Sequence, residues 1–376
     1  MILFLTDLHF GMKKFSEKMY NLQIDYFKDK IFPYILENDI KQVIHCGDIV
    51  DNEMEIDNRL LLDLKTDFIN WFESHKVNLY LLHGNHDSYY KNNTDYSFTK
   101  VLSNNMNYIH SIVDIETLKI GANRFTFVPH SKEFSHITDL GDVIIAHHDI
   151  ADVVFNVHQK SKKGLSIDEL EKLKVPILIG HYHNQSVTKN CRYLGTLFQY
   201  NWGEFGFRKG FWVLDDVHKT DVFKINEQLK FIEQTELPRF IRVEYIQEGR
   251  KQPSFIISDG ISPDRVETDY NVIKDLVSKN HIELKAENYN IETKYMEMIN
   301  DLNSICYSEI TINNSKRLNK AIEQMLEMNE ETDCDISNDS GILELCKHFF
   351  SLLPDTLDNK EEMKNLFMDK VETIGG

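Results

Sequence analysis

The sequence holds no closely spaced pair of cysteines. Its five are scattered and odd in number, which argues against a disulfide framework and fits a reducing cytoplasm. Long apolar runs are missing too. None approaches the ~18 residues of a membrane span, so no membrane association is expected. The first apolar run, residues 1–5, has no basic region before it and is too short and too quickly polar for a secretory signal. Positive charge is scarce: 42 Lys and Arg against 60 Asp and Glu leave a net charge of −18. That balance argues against autonomous, tight binding to nucleic acid, whose phosphates select a basic footprint. It does not exclude an enzyme that acts on nucleic acid. Bound divalent ions would change the local field, and a partner could supply basic surface.

What is present is enough apolar sequence, 41% of 376 residues, for a sizeable core and about two to three domains. Residues 1–5, 42–46 and 77–82 read as short buried strands, and residues 17–38 and 57–75 as amphipathic helices between them. This alternation predicts an α/β architecture. Short strands are expected next, at 108–113, 124–128, 143–146 and 175–179, with a helix near 166–173. Strands near 186–189, 192–194, 210–214 and 221–225 are expected to complete a second sheet. Residues 226–236 read as a polar connection, and 239–247 as a strand opening a mixed α+β module that runs to about 305. Helices are expected at 315–329, 339–352 and 359–372, interrupted by a polar, acidic break at 328–340. Residues 310–376 carry 7 Lys and Arg against 14 Asp and Glu, so this end is acidic.

Each apolar run ends in a polar cluster. Asp7 and His9 follow the first, Asp48 the second, Asn85 and His86 the third, His147 a fourth, and His181 and His183 a fifth. In open α/β sheets, ligands sit outside the carboxyl ends of the strands. In Asp-x-His and His-x-His, residues i and i+2 point to the same side, so both can reach one ion. Mixed imidazole and carboxylate ligands suit Mn, Fe or Zn, and a carboxylate bridging two ions ~3.5–4 Å apart would form the clamp used in phosphoryl hydrolysis. Taken singly, an Asp or His at such a place is as readily a solvated loop residue. Eight together, at successive strand ends, are not.

The order Asp-x-His, Gly-Asp, Gly-Asn-His-Asp, His, Gly-His-x-His over residues 1–215 resembles the calcineurin-like metallophosphoesterases. Within that superfamily, Asp7-Leu8-His9-Phe10-Gly11, Gly47-Asp48-Ile49-Val50 and Gly180-His181-Tyr182-His183 look like the SbcD-type DNA repair nucleases. Asp87-Ser88-Tyr89-Tyr90-Lys91-Asn92 and Tyr193-Leu194-Gly195-Thr196 are similar to their bacteriophage branch, the recombination endonuclease subunits. Beyond residue 240 the likeness is one of layout only.

The resemblance implies a metallophosphoesterase β-sandwich flanked by helices, a small α+β capping domain and a C-terminal helical segment. Their expected bounds are 1–226, 227–305 and 306–376. It implies two divalent metal ions, with Mn ahead of Mg, Fe and Zn. Asp7, His9 and His183 would hold the first, Asn85, His147 and His181 the second, and Asp48 would bridge them. His86 would contact the scissile phosphate and protonate the leaving oxygen or orient the phosphate, with Asp87 holding its ring. The implied activity is 3′–5′ exonuclease and endonuclease action on DNA, beside an SbcC-type SMC-like ATPase, in double-strand-break processing and recombination. A homodimer within a heterotetramer is expected, in the cytoplasm, or in the host cytoplasm if the protein is viral. Two positions depart from the pattern. Asp51 stands where cellular members often place a histidine, and Ala146-His147 replaces Gly-His, which leaves His148 as an alternative ligand.

Other features have plainer readings. His130 and His136 read as solvated or locally hydrogen-bonded. Tyr89, Tyr90 and Lys91 could stack on a base and touch phosphate, or pack as a loop on the sheet edge. His158, Lys160, Lys162 and Lys163 read as a solvated loop ahead of a DNA-backbone patch. Trp202, Phe205, Phe207, Phe211 and Trp212 read as core or dimer-contact aromatics. The C-terminal apolar helices could form their own bundle or dock into a partner's groove; the resemblance favours docking on the ATPase coiled coil. A metallophosphatase acting on phosphomonoesters or small phosphodiesters is the competing function, and a non-catalytic scaffold the third.

Overall fold

The computed structural model describes residues 1–52, 57–90, 93–151, 153–156, 159–161, 164–216, 225–235, 238–246, 254–286 and 310–313. The chain divides into two compact units, residues 1–284 with 292–311, and residues 285–291 with 312–376. The helices expected at 315–329, 339–352 and 359–372 lie outside the described residues, as do the loop positions His158, Lys162 and Lys163.

Two six-stranded sheets form the body of the first unit. In the first sheet, Ile2–Leu5, Gln42–His45, Asn78–Leu82 and Ile109–Ile112 run parallel side by side. Gly210–Leu214 pairs antiparallel with Ile2–Leu5, and Leu229–Glu233 pairs antiparallel outside it. In the second sheet, Asn123–Val128, Val143–His147, Ile177–Gly180 and Cys191–Tyr193 run parallel. Glu116–Ile120 and Ser186–Thr188 close its edges antiparallel.

The continuous apolar character of the parallel strands has a direct cause: both faces are covered. Side chains alternate across a strand, so Ile2 and Phe4 enter the layer between the sheets with Phe125, Phe127, Val143, Ile145 and Leu178. Leu3 and Leu5 turn the other way, into the layer beneath the helices. Two helical stretches cover that side. Glu17–Tyr26 passes through a wide π turn, Phe27–Ile31, into Phe32–Glu37. Asn58–Asp63 does the same through Leu64–Ile69 into Asn70–His75. Of their facing aromatics, Phe27 and Phe68 pack on Phe10, which leads from the first strand, and Phe32 and Phe72 pack against Phe68. Trp71 stacks on Phe32 with centroids 4.0 Å apart.

Three expectations need correction. Residues 226–236 are not a connection, because Ile225–Gln228 is a short helix and Leu229–Glu233 is an edge strand of the first sheet. The alternation Leu229, Phe231 on one face carries it: both pack in the layer between the sheets. The first sheet therefore continues past residue 226. Gly210–Leu214 belongs to that first sheet, not the second, since its register partner is Ile2–Leu5. The strand Glu116–Ile120 had no sequence counterpart; its half-exposed, polar pattern hid a hairpin with Asn123–Val128.

A third sheet follows. Phe240–Ile246, Ser254–Ser258 and Arg265–Glu267 form an antiparallel meander, joined by the helix Tyr270–Lys279 and the strand His281–Ala286. An α+β module is expected over this stretch; Ile310–Asn313 is a strand as well, inside the 306–376 segment expected to be helical.

Candidate metal centre

All the parallel strands of the first sheet that carry polar clusters end at one rim, and two parallel strands of the second sheet end beside them. The backbone there is strained. Asp7 (φ 50°), His9 (φ 45°), Asp48 (φ 58°) and His181 (φ 92°) all lie in the left-handed region. Non-glycine residues held there cost on the order of 1–3 kcal/mol each and persist only where the surroundings over-determine them. The surroundings do. Asp7 N–H donates to Gly47 O (3.0 Å), His9 N–H to Asp48 O (3.2 Å) and Phe10 N–H to Ile49 O (2.9 Å). The Asp7 carboxylate accepts from His181 N–H at 3.1 and 3.0 Å. Glycine is required at two of these turns by contact. A Cβ on Gly47 would drive into the His147 ring, and one on Gly84 into Asp48.

Asp87 acts on this backbone and not on the His86 ring, which corrects the role expected for it. Its fully buried carboxylate accepts from Gly84 N–H (2.9 Å), Asp48 N–H (2.9 Å) and Ile49 N–H (3.0 Å). It ties the Gly-Asp turn to the Gly-Asn-His-Asp turn. Burial and the neighbouring Asp48 charge push its pKa up to about 7, against those N–H donors. The His86 ring donates from Nδ1 to the Asp51 carbonyl at 2.5 Å. Asp51, the position that departs from the family pattern, thus orients His86 by its backbone, while its side chain lies 3.5 Å from His9 Nδ1.

The side chains converge in overlapping groups. Asp7, His9 and His183 each offer a ligand atom within 4.8 Å of the others, as do Asp48, His147 and His181. Asp48 Oδ2 lies 3.9 Å from His9 Nε2 and 3.2 Å from His147 Nε2, so one carboxylate faces both groups. Asn85 Oδ1 lies 3.0 Å from His147 Nε2 and 2.8 Å from His181 Nδ1. His86 also comes within 4.8 Å of His9 and Asp48.

The outer contacts determine what these atoms can be. His147 Nδ1 donates to Cys46 O (2.7 Å), which turns Nε2 toward Asp48 and Asn85. His181 Nε2 faces the Asp149 carboxylate (2.9 Å), and His183 Nδ1 faces Glu204 (2.9 Å). Each of those nitrogens therefore carries the proton, and the opposite nitrogen carries a lone pair. Those opposite nitrogens face Asn85 Oδ1 for His181 and His9 Nε2, 3.1 Å away, for His183. Burial carries the His9 pKa down to about 4, so its ring is neutral too. Carboxylate, amide and imidazole acceptor atoms crowd together here. Such a set repels itself unless a positive ion stands among its members. Burial alone would keep His147 uncharged, yet Asp48 outweighs it and lifts the ring to about 10. A field that holds a proton so firmly would hold a divalent cation in its place. The donor set fits a metal ion of the Mn, Fe or Zn type.

His148 does not join this group; its Nε2 donates to Pro129 O at 3.0 Å. His130, read as an ordinary loop residue, stands at the rim. Its ring centroid is 6.0 Å from those of both His147 and His181, and its Nδ1 lies 3.2 Å from His147 O. Sequence reasoning also missed Asp149, Glu204 and Lys209. Asp149 follows His147 by two residues, a spacing that could have flagged it. Nothing local distinguishes Glu204 and Lys209 from solvated charges.

Carboxylates and imidazoles crowded together on a strained backbone serve cations, and hydrolysis of phosphate esters is what such clamps support. The fold and site define a metal-dependent phosphoesterase. The calcineurin-like phosphoesterase family matches residues 1–201, over half of the chain, and the chain belongs to that family. The chain is 27% identical over 226 residues to exonuclease subunit 1 of Enterobacteria phage T4, a match covering 57% of this chain and 64% of that protein. It thus spans somewhat less than two thirds of that relative's length. A crystal structure of nuclease MPE from Pseudomonas putida aligns with 56% of this chain and 84% of its own at 16% identity. Its TM-score of 0.28 carries no argument. Among the described residues, no helix is long and apolar enough to cross a membrane.

Proposed function

We propose that this protein is a Mn-dependent DNA nuclease that hydrolyses phosphodiesters with two cations, as a 3′–5′ exonuclease and endonuclease. The single observation that carries the reading is the buried convergence of Asp7, His9, Asp48, Asn85, His147, His181 and His183, with His86 beside it. The likeness to a phage exonuclease subunit supports DNA as the substrate.

In this reading Asp7, His9 and His183 would hold one cation, Asn85, His147 and His181 would hold the other, and Asp48 would serve both. When bound, the cations supply Lewis-acid charge to the phosphate and activate water for in-line attack. The chain's own residues do the rest. Asp87 fixes the two turns that present Asp48 and Asn85. The Asp51 carbonyl fixes His86 Nδ1–H, which leaves Nε2 to meet the phosphate or donate a proton to the leaving oxygen.

The wider assignment extends the same reading. With the first bound moved to take in the edge strand Leu229–Glu233, residues 1–233 are the nuclease region, 234–305 the capping region, and 306–376 the segment that binds an SbcC-type SMC-like ATPase. The protein works as a homodimer within a heterotetramer, in the cytoplasm, in double-strand-break processing and recombination. The net charge of −18 favours a competing reading, hydrolysis of small phosphomonoesters, which need no basic track.

One experiment separates them. Purified protein with Mn is given end-labelled duplex DNA, blunt and 3′-recessed, and in parallel p-nitrophenyl phosphate. DNA degradation that is lost in His86→Ala while metal stays bound supports the nuclease. Turnover of the monoester alone refutes it.

A further inference from the structure

We infer that Glu204, gripped by Lys209, is a positioning residue that fixes the ring of His183 so that Nε2 faces the pocket. The inference rests on the proposed metal-binding role of His183 and goes beyond it.

The contacts form a closed circuit. His183 Nδ1 lies 2.9 Å from Glu204 Oε1, and a carboxylate oxygen can only accept, so Nδ1 carries the hydrogen. Glu204 Oε2 lies 2.6 Å from Lys209 Nζ. Lys209 Nζ in turn donates to the backbone carbonyl of His183 itself at 2.8 Å, and to Thr196 Oγ1 at 2.9 Å. One buried ion pair therefore holds the histidine by ring and backbone together. Asn201 Nδ2 donates to Oε1 at 3.0 Å and Tyr200 N–H to Oε2 at 3.3 Å, which fixes the plane of the carboxylate. Tyr200 also donates from its hydroxyl to Asp7 O and Leu8 O, at 2.8 and 2.9 Å, which ties this loop to the first strand's turn.

Burial makes the pair expensive. Glu204 is 2% exposed and Lys209 3%. Taking both charges out of water costs several kcal/mol per ion, and an apolar pair of similar volume is often as stable. Stability alone is a poor reason to keep such a pair. A carboxylate that sets the tautomer of a ligating histidine is a good one. Glu204 is not among the side chains that converge at the centre, so its effect is transmitted through His183.

The test uses the full chain, specifically labelled with 15N-histidine, as the wild type and as two double variants. Glu204→Gln with Lys209→Met removes both charges but keeps an acceptor for Nδ1–H. Glu204→Leu with Lys209→Met removes the acceptor too. Imidazole 15N shifts of the metal-free protein, with His183 assigned by its loss in His183→Gln, report the tautomer. Mn titration reports affinity at each site, and thermal unfolding in chelator reports the fold. We expect His183 to carry its proton on Nδ1 in the wild type and in the Gln–Met variant, and to shift toward Nε2–H in the Leu–Met variant. Affinity should fall ~10–100-fold at one site only in the Leu–Met variant, and less in the Gln–Met variant. Should the Leu–Met variant not fold, the Gln–Met variant still decides, because a tautomer that changes there although the acceptor is kept overturns the inference. An unchanged tautomer in a folded Leu–Met variant overturns it as well. A wild type that binds no Mn but shows the expected tautomers would sink the metal reading while leaving the positioning role in place.

Discussion

His45 makes acid the weak side of this fold. The residue ends the second strand with no exposure, and neither ring nitrogen has a hydrogen-bond partner among the described residues. Its register neighbours are Leu5 and Leu81. Burial drives its pKa down to about 3 from 6.5, although Asp7 and Asp48 pull the other way. Between those two values the unfolded chain takes up a proton that the native protein refuses, so stability falls as pH drops below 6.5. At pH 5 the loss from this one group is about 2 kcal/mol, at 1.36 kcal/mol per unit of the interval crossed. Bound cations would lower the folded pKa further, so the direction holds with or without metal. His45→Leu removes the titration and two unpaired nitrogens at little change of volume. Urea unfolding of both proteins at pH 7.5 and pH 5.0 should show His45→Leu gaining about 2 kcal/mol on the parent between the two conditions. A gap that stays constant between them would refute the claim that His45 is held neutral in the core.

Other perturbations probe the site and its support. Asp48→Ala should abolish stoichiometric binding of both metals by elemental analysis, whereas His86→Ala should keep metal content and lose phosphodiesterase turnover by ~10²–10⁴-fold, the range for a lost general acid. Gly47→Ala should lower metal affinity in a titration, because the new Cβ displaces the His147 ring, while its φ of 100° adds strain. Phe68→Ala empties the centre of the helix-side aromatic cluster and should cost about 3–5 kcal/mol in denaturant unfolding, with metal stoichiometry retained.

The site's first layer was readable because strand ends advertise themselves. An apolar run followed by Asp-x-His or His-x-His needs only the periodicity of a strand to be placed, and Asp7, His9, Asp48, Asn85, His147, His181 and His183 all followed that logic into one pocket. What failed to show was whatever depends on a long-range partner. Leu229–Glu233 alternates weakly and sits in polar surroundings, so only its pairing with Gly210–Leu214 makes it a strand. Asp87 follows His86 directly and invited a role beside the ring. Backbone N–H groups of residues 48 and 49, some forty positions away, claim it instead. Glu204 and Lys209 are charged residues in a Gly- and aromatic-rich loop, and charges are mostly solvated. Their burial comes from Thr196, Tyr200 and the backbone of His183 closing around them.

That loop also explains why aromatics expected in a core or dimer contact stand where they do. Residues 199–209 have two sides. One presents Glu204 to His183. The other seats the α+β module. Phe240 N–H donates to Gln199 Oε1 at 2.7 Å, Trp202 packs on Phe240 with centroids 4.8 Å apart, and the Arg242 guanidinium lies 4.4 Å over the Phe205 ring. Gly206 and Gly260 meet with no room for a side chain, since a Cβ on Gly260 would strike the Gly206 backbone and the Phe205 ring. A segment pinned this tightly on both sides has little freedom to absorb a shift on one of them. Gln199 and Trp202 lie within five residues of Glu204, so a displaced α+β module must either break these contacts or move the carboxylate. The metal pocket and the module therefore share a support that neither the strand-end motifs nor the module's own strands contain.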